Sequence, residues 1–293
     1  LEEEAVTLYR TVTARFPDSP LAPQAQFLAA HGLRELGEHD AAMVELRELV
    51  GAWPDSVYRH ESRLLLGNHA PDEGDLGAAR RWYEQLVAEA PDDMAAVGWY
   101  RLGWVAYNEG SCKEALSSFE EAIDRSPEAP GDAAAARVAR DALVDATFCY
   151  AQVGEPDEAA GWIRSRARTR GDHIAALERL TRRYAVLERA EGVAPVLRTL
   201  LAMAPDAPER VDDIRLLHRS LVRSKDFRHV GEDVATLLTV LDRRTALPEL
   251  DDETRDTLRT EVLDLAHDLS LRAQRVLTDD GEGRTDAVQT AAA

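Results

Sequence analysis

WYRLGWVAYNEGSCKEALSSFEEAIDRSP, residues 99–127, decides the fold. Counted so that Trp99 is position 4 of a unit, it puts Leu102 at 7, Gly103 at 8, Gly110 at 15, Ala115 at 20, Phe119 at 24, Ala122 at 27 and Pro127 at 32. The large apolar residues at 4, 7, 24 and 27 recur at the three- and four-residue spacing of one helical face. Small residues at 8 and 20 let two such faces approach closely. Glycine at 15 accepts the left-handed backbone that ends a first helix, and proline at 32 stops a second. The stretch predicts an antiparallel pair, helix A then helix B, with Trp99 in the core.

The same ruler fits on both sides. Upstream it finds Gln26, Ala29, Ala30, Gly37, Ala42, Leu46, Leu49 and Pro54, then Arg63, Leu66, Gly67, Gly74, Ala79, Tyr83, Leu86 and Pro91. Ala5, Tyr9, Val12 and Pro17 fit a helix B alone. Downstream it finds Leu143, Tyr150, Gly154, Ala159 and Ile163, and then two weaker units. The first of these has Leu177, Leu180, Tyr184, Val193, Leu197, Leu200 and Pro205; the second has Ile214, Leu217, Leu221, Val230, Val234 and Leu237. Successive units begin 37, 36, 44, 34 and 37 residues apart. The 44-residue step holds Pro127 to Asp132 and the alanines Ala133 to Ala136, read as a longer loop and an extended helix A.

A fixed period of this length marks a solenoid of stacked pairs, whose open end needs a cap. The helical stretch from about Asp251 to Leu277, with Leu258, Val262, Leu265, Leu269 and Val276, is expected to supply it. The expected organisation is well-matched repeats over 1–170, with a half repeat at 1–18 and an insertion near 127–136. Degenerate repeats follow over 171–250, a capping helix over 251–278 and a disordered tail over 279–293. Opening on a half repeat, the chain is expected to be a piece of a longer protein.

Composition agrees. A chain of 293 residues exceeds one ordinary core, so it forms two domains or an elongated array. Its net charge of −19 repels nucleic acid and anionic lipid, and neither is an expected partner; the acidity itself reads as solubility. No apolar run reaches the length of a membrane span, so no membrane insertion by this fragment is expected. Cys112 and Cys149 fall in different parts of neighbouring units with no metal-ligand spacing, and no disulfide is expected between them.

The motif of residues 99–127 and its repeats resembles the tetratricopeptide-repeat (TPR) family over nearly the whole chain. The resemblance implies an all-α right-handed solenoid of about six repeats plus a half repeat and a capping helix. It implies a non-catalytic protein-interaction scaffold that holds a partner segment in a concave groove. More narrowly, ARFPDSPLAPQAQFLAA and WYRLGWVAYNEGSCKEALSSFEEAI resemble TPR proteins of the Gram-negative cell envelope, including outer-membrane assembly lipoproteins. That implies a periplasmic or outer-membrane-associated location, slightly favoured over the cytoplasm.

In the family, positions 2, 5, 9, 12 and 13 of helix A face the groove. Here they place Tyr100, Trp104, Tyr107 and Asn108 on one helix, and Phe148 and Gln152 on the next. Aromatic residues at such sites supply large contact area at low entropic cost. The alternative is that Tyr100 and Trp104 pack under a flanking helix. Further along, Arg182 with Arg183, and then Arg215, Arg219 and Arg223 at four-residue spacing, form a basic stripe. Arginine forks suit carboxylates and favour an acidic peptide or chain terminus. The alternative is a solvated face neutralised by Glu209, Asp212 and Asp213. The Lys/Asn clamp by which some TPRs hold a C-terminal carboxylate is not matched, since those positions carry Tyr100, Trp104 and Phe148.

No phosphate loop, GxSxG or HExxH motif occurs, so no enzyme activity, cofactor or metal is expected. His218 and His229 flank a helix turn and could meet, without carboxylate or cysteine support for a metal. Asp92–Asp93 and Asp251–Asp252 read as helix-start residues. Two other functions fit the same repeats: a structural or self-assembly spacer, and the regulatory arm of a larger protein.

Overall fold

The computed structural model describes residues 2–71, 74–127, 133–248 and 250–279. Among them every regular element is helical. The 280–293 part of the expected tail and residues 128–132 of the expected insertion lie outside the described residues. The chain divides into two compact units between Ala142 and Leu143. This is a division by packing, whereas the expected boundary at residue 170 is one of motif quality.

The first unit holds α1 (Glu2–Arg15), α2 (Ala22–Glu35), α3 (His39–Ala52), α4 (Arg59–His69), α5 (Leu76–Glu89), α6 (Asp92–Asn108) and α7 (Cys112–Arg125). From α1 to α7, consecutive helices pack on one another. Between α2 and α3, α4 and α5, and α6 and α7 stand Gly37, Gly74 and Gly110, all at φ near +80°. These are the three position-15 glycines, so the left-handed turn falls where the ruler places it.

Close approach within a pair is visible atom by atom. A Cβ on Gly103 would lie 2.6 Å from the ring of Phe119, and one on Gly67 would lie 2.5 Å from the ring of Tyr83. Position 8 is empty so that the position-24 ring can lie on backbone. The small partners at position 20, Ala42, Ala79 and Ala115, are completely buried. Position 4 is less uniform than expected. Trp99 is only partly buried, packed against the cluster of Ala79, Tyr83, Leu102 and Val105. Gln26 and Arg63 are buried polar residues at that position, each tied to a helix-B carboxylate. Gln26 Nε2 donates to Glu45 at 2.6 Å, and Arg63 Nη1 to Glu89 at 2.8 Å.

The turns entering α2 and α4 share a sequence, FPDSPL and WPDSVY, and a geometry. Ser19 and Ser56 N–H groups donate to the carbonyls of Phe16 and Trp53, and their hydroxyls accept from Leu21 and Tyr58 N–H. Trp53 Nε1 donates to the carbonyl of Pro17, tying one turn to the other.

α8 (Ala133–Val153) contains the division. The second unit continues with a 3-10 turn (Pro156–Glu158), α9 (Ala159–Arg166), α10 (Arg170–Val186), α11 (Ala190–Met203), α12 (Arg210–Ser224), α13 (Val230–Thr245) and α14 (Asp252–Asp279). Thr169 opens α10 with a reciprocal capping box to Asp172, and the Asp251 carboxylate caps α14 by accepting from Thr254 N–H at 2.7 Å. Asp92 and Asp93 lie in the first turn of α6 and make no side-chain cap.

The weaker motif here has physical consequences. Glu188 and Lys225 occupy position 15 at φ +57° and +54°, the left-handed region that favours glycine. Gly154, also at position 15, does not have positive φ; its lack of a Cβ makes room for the Tyr150 ring. At position 20 alanine gives way to Val193 and Val230, and Val230 is not buried. α13 makes few contacts with α12 and packs on α14 and α11 instead. Of the position-20, -24 and -27 residues of α13, only Leu237 is buried. Asp233, wholly buried, receives both forks of Arg198 from α11, at 2.6 and 2.9 Å. Neither cysteine is free, contrary to the sequence expectation; Cys112 and Cys149 are both disulfide-bonded.

Equilibrium urea unfolding tests these contacts. Gly103→Ala is expected to cost about 1–3 kcal/mol through overpacking on Phe119, whereas Lys225→Gly is expected to add about 1 kcal/mol by relieving the left-handed strain. Arg198→Ala is expected to cost about 3 kcal/mol or more because Asp233 stays buried without its partner. The double change Arg198→Met/Asp233→Leu should recover most of that loss.

Candidate partner-binding surface

Position 9 of the six A helices carries His31, Asn68, Trp104, Phe148, Arg182 and Arg219. None is in the buried core. The side chains differ in what holds them.

In the first unit, Trp104 meets the rings of Tyr107 and Phe119 edge-on, at centroid distances of 5.5 and 5.9 Å. Tyr100 leans on Phe119 as well, at 5.9 Å. Phe119 is thus a shared platform: its ring rests on Gly103 and carries Tyr100 and Trp104. All three groove aromatics stay half-buried, and Asn108 is exposed at the helix end. On the same A-helix row, His31 contacts Phe27 edge-on, and Asn68 accepts a hydrogen bond from Tyr83 Oη at 2.9 Å. Burial pushes the Tyr83 phenol up to about 12.

In the second unit, Phe148 is half-buried beneath the guanidinium groups of Arg179 and Arg183, 5.5 and 4.9 Å from its ring centre. Gln152 is exposed and donates to the Phe148 carbonyl at 3.4 Å. The last carbonyls of α8, those of Ala151 and Gln152, accept from Arg189. This basic cap favours the negative end of the helix dipole. Ala151, which the position rule places in the groove, is wholly buried.

The arginine stripe divides. Arg215 donates both forks to Glu261 of α14, at 2.5 and 2.7 Å, and a third bond to Asp212. Beside it His218 Nε2 meets Asp268 of α14 at 2.8 Å, and Asp268 also accepts from Arg272. His218 therefore does not meet His229, which lies 3.7 Å from Glu232, and no metal-binding group of His, Cys, Asp and Glu occurs among the described residues. Arg219 is exposed and makes no ion pair among the described residues. Arg223 pairs with Glu188 at 2.8 Å, both well exposed. Arg182 is 73% exposed, with Glu178 at 3.5 Å. Asp213, one of the residues expected to neutralise the stripe, belongs instead to the buried Arg210. Burial pushes the Asp213 carboxyl up against the opposing pull of that guanidinium.

The tetratricopeptide-repeat family profile matches residues 3–57 and 64–132. These residues, less than half of the chain, thus match tetratricopeptide repeats. No curated protein matches it by sequence. Among solved structures, it is similar to the Naa15/Naa10 complex bound to HypK-THB at 15% identity and TM-score 0.31, over 92% of this chain and 44% of that one. It is similar to the P58(IPK) TPR domain at 13% identity and TM-score 0.27, over 99% and 91%, and to the APC/C hetero-tetramer Cut9–Hcn1 at 12% identity and TM-score 0.27, over 90% and 52%. The chain spans less than half the length of the Naa15/Naa10 chain it matches.

Within the TPR register, the sequence locates the exposed row but not what covers part of it. Glu261, Asp264 and Asp268 of α14 recur at three- and four-residue spacing. That is the one signal that could have assigned α14 to the α12 arginine and histidine. Arg179 was missed because position 6 is not a groove position; it reaches the row through the Phe148 ring.

Hydrogen bonds from Arg215 hold the Glu261 carboxyl below its usual range, and Arg272, then His218, do the same for Asp268. A depressed carboxylate stabilises the fold fully above its unfolded value and loses that contribution as pH falls through the folded one. Hydrogen-exchange protection factors in α14, corrected for the intrinsic rate at each pH, are expected to fall as pH drops from about 5 to about 3. In Glu261→Gln/Asp268→Asn protection should be low already at pH 5 and should change little on acidification.

Proposed function

We propose that this protein is a non-catalytic scaffold that holds segments of a partner protein on the position-9 row of its A helices. Its repeats support a protein-interaction role in general. The observation that carries the specific reading is the row itself. In the first unit Trp104, and in the second unit Phe148, stand there half-buried, and Arg182 and Arg219 of the second unit stand there exposed, where solubility alone would be served by small polar residues. Such side chains dominate binding energy at interfaces. Trp104 and Phe148 are also held in place by neighbouring rings or guanidinium groups, which lowers the entropy lost when a partner docks.

The test compares proteins crosslinked to the chain in its own host with those crosslinked to Trp104→Ala/Tyr107→Ala. The variant is expected to stay folded by circular dichroism and to lose at least one partner. An unchanged partner set would remove the aromatic part of the row from the site.

We also propose an envelope location, periplasmic or outer-membrane-associated. The resemblance of residues 14–30 and 99–123 to envelope repeat proteins supports it. Protein isolated from its host under rapid alkylation is expected to show no labelled thiol until it is reduced. Two labelled thiols at the outset would place it in a reducing compartment.

A further inference from the structure

We infer that the second unit binds an extended acidic segment of the partner along an arginine ladder made by α10 and α12. This rests on the scaffold reading and names the chemistry of the ligand on that part of the row.

The ladder follows from how the two helices lie. Arg210 at the start of α12 bonds Glu178 of α10 at 2.5 Å, and Arg223 near its end bonds Glu188, just past α10, at 2.8 Å. Contacts that advance together along both helices mean that α10 and α12 run side by side and parallel. The paired residues lie 32 and 35 positions apart in sequence, so Arg219, at position 9 of α12, falls within about one turn of Arg182, at position 9 of α10. Both are exposed. The carboxylate beside Arg182 is already engaged, since Glu178 gives its other oxygen to the buried Arg210. Arg219 makes no ion pair among the described residues. Arg215, next to it in sequence spacing, is excluded because α14 already occupies it.

Apolar ground adjoins the ladder. Val186, one turn beyond Arg182, is 71% exposed, and the Phe148 ring lies under Arg179 and Arg183. In a chain of net charge −19, two under-compensated guanidiniums within about one turn of each other are a local reversal of field. They select a ligand that the rest of the surface repels. Neighbouring helices lie about 8–10 Å apart, and an extended strand advances about 3.3 Å per residue. A segment crossing the two helices thus meets them with carboxylates about three residues apart. Each guanidinium can take a carboxylate bidentately.

The probe is a fluorescent synthetic peptide with Glu at every third position, one Phe, and Gly and Ser elsewhere. Its anisotropy is read on the full chain. Binding is expected to weaken steeply with added salt and by about tenfold or more in Arg182→Glu/Arg219→Glu. It should persist in Arg47→Glu, an exposed arginine of α3 that makes no ion pair among the described residues. A Lys-for-Glu peptide is expected to prefer the charge-reversed variant, a swap that a folding defect cannot produce. Equal binding of the Glu and Gln peptides, or no loss in the double variant, would overturn the ladder. If the acidic peptide fails while Trp104→Ala/Tyr107→Ala still removes a crosslinked partner, the ladder falls and the scaffold reading stands. If both fail, the row itself is not a binding surface.

Discussion

A ring lying on bare backbone is the contact on which the first unit depends. Phe119 on Gly103 and Tyr83 on Gly67 bring each helix pair close enough to exclude water along its seam. Burying an aromatic side chain contributes on the order of 2–3 kcal/mol. The contribution is realised only because the opposing position has no Cβ. The arrangement also settles where helix A looks. With position 8 turned toward its own helix B, position 9 lies about 100° round the helix at the edge of that seam, where Trp104 and Asn68 still reach the position-24 ring.

The second unit shows what happens when that contact weakens. Val230 stands where earlier repeats have alanine, and α13 trades helix-pair packing for contacts with α11 and α14. The buried Arg198–Asp233 pair replaces apolar interdigitation with geometry that must be satisfied completely. The α12–α14 contact is likewise ionic at Arg215–Glu261 and His218–Asp268. From α11 to α14 the cohesion thus leans on guanidinium–carboxylate pairs, while rings still lie on glycine at Tyr150–Gly154 and Tyr184–Gly192.

That change explains which features were legible from residues alone. The period and the left-handed turns at 37, 74, 110, 188 and 225 followed from spacing, because backbone geometry repeats even where the residue does not. Glu188 and Lys225 keep the turn without the glycine. The row of exposed A-helix residues followed for the same reason. Three things did not. Gly154 falls on the same count but serves the Tyr150 ring, since a glycine tolerates both uses and the count cannot separate them. Gln26 and Arg63 fill core positions because helix-B carboxylates reach them, a pairing across the helix seam that no local pattern encodes. Arg215 belongs to α14 because of a contact 46 residues distant in sequence.

The two serine turns carry a different implication. Each closes on its own backbone and hydroxyl, and is hung on the next by a single indole-to-carbonyl bond, Trp53 to Pro17. The joint between repeats is thus self-contained. A lineage could lengthen or shorten such a chain by whole modules at these joints without redesigning any core, and reach could evolve separately from what the row recognises.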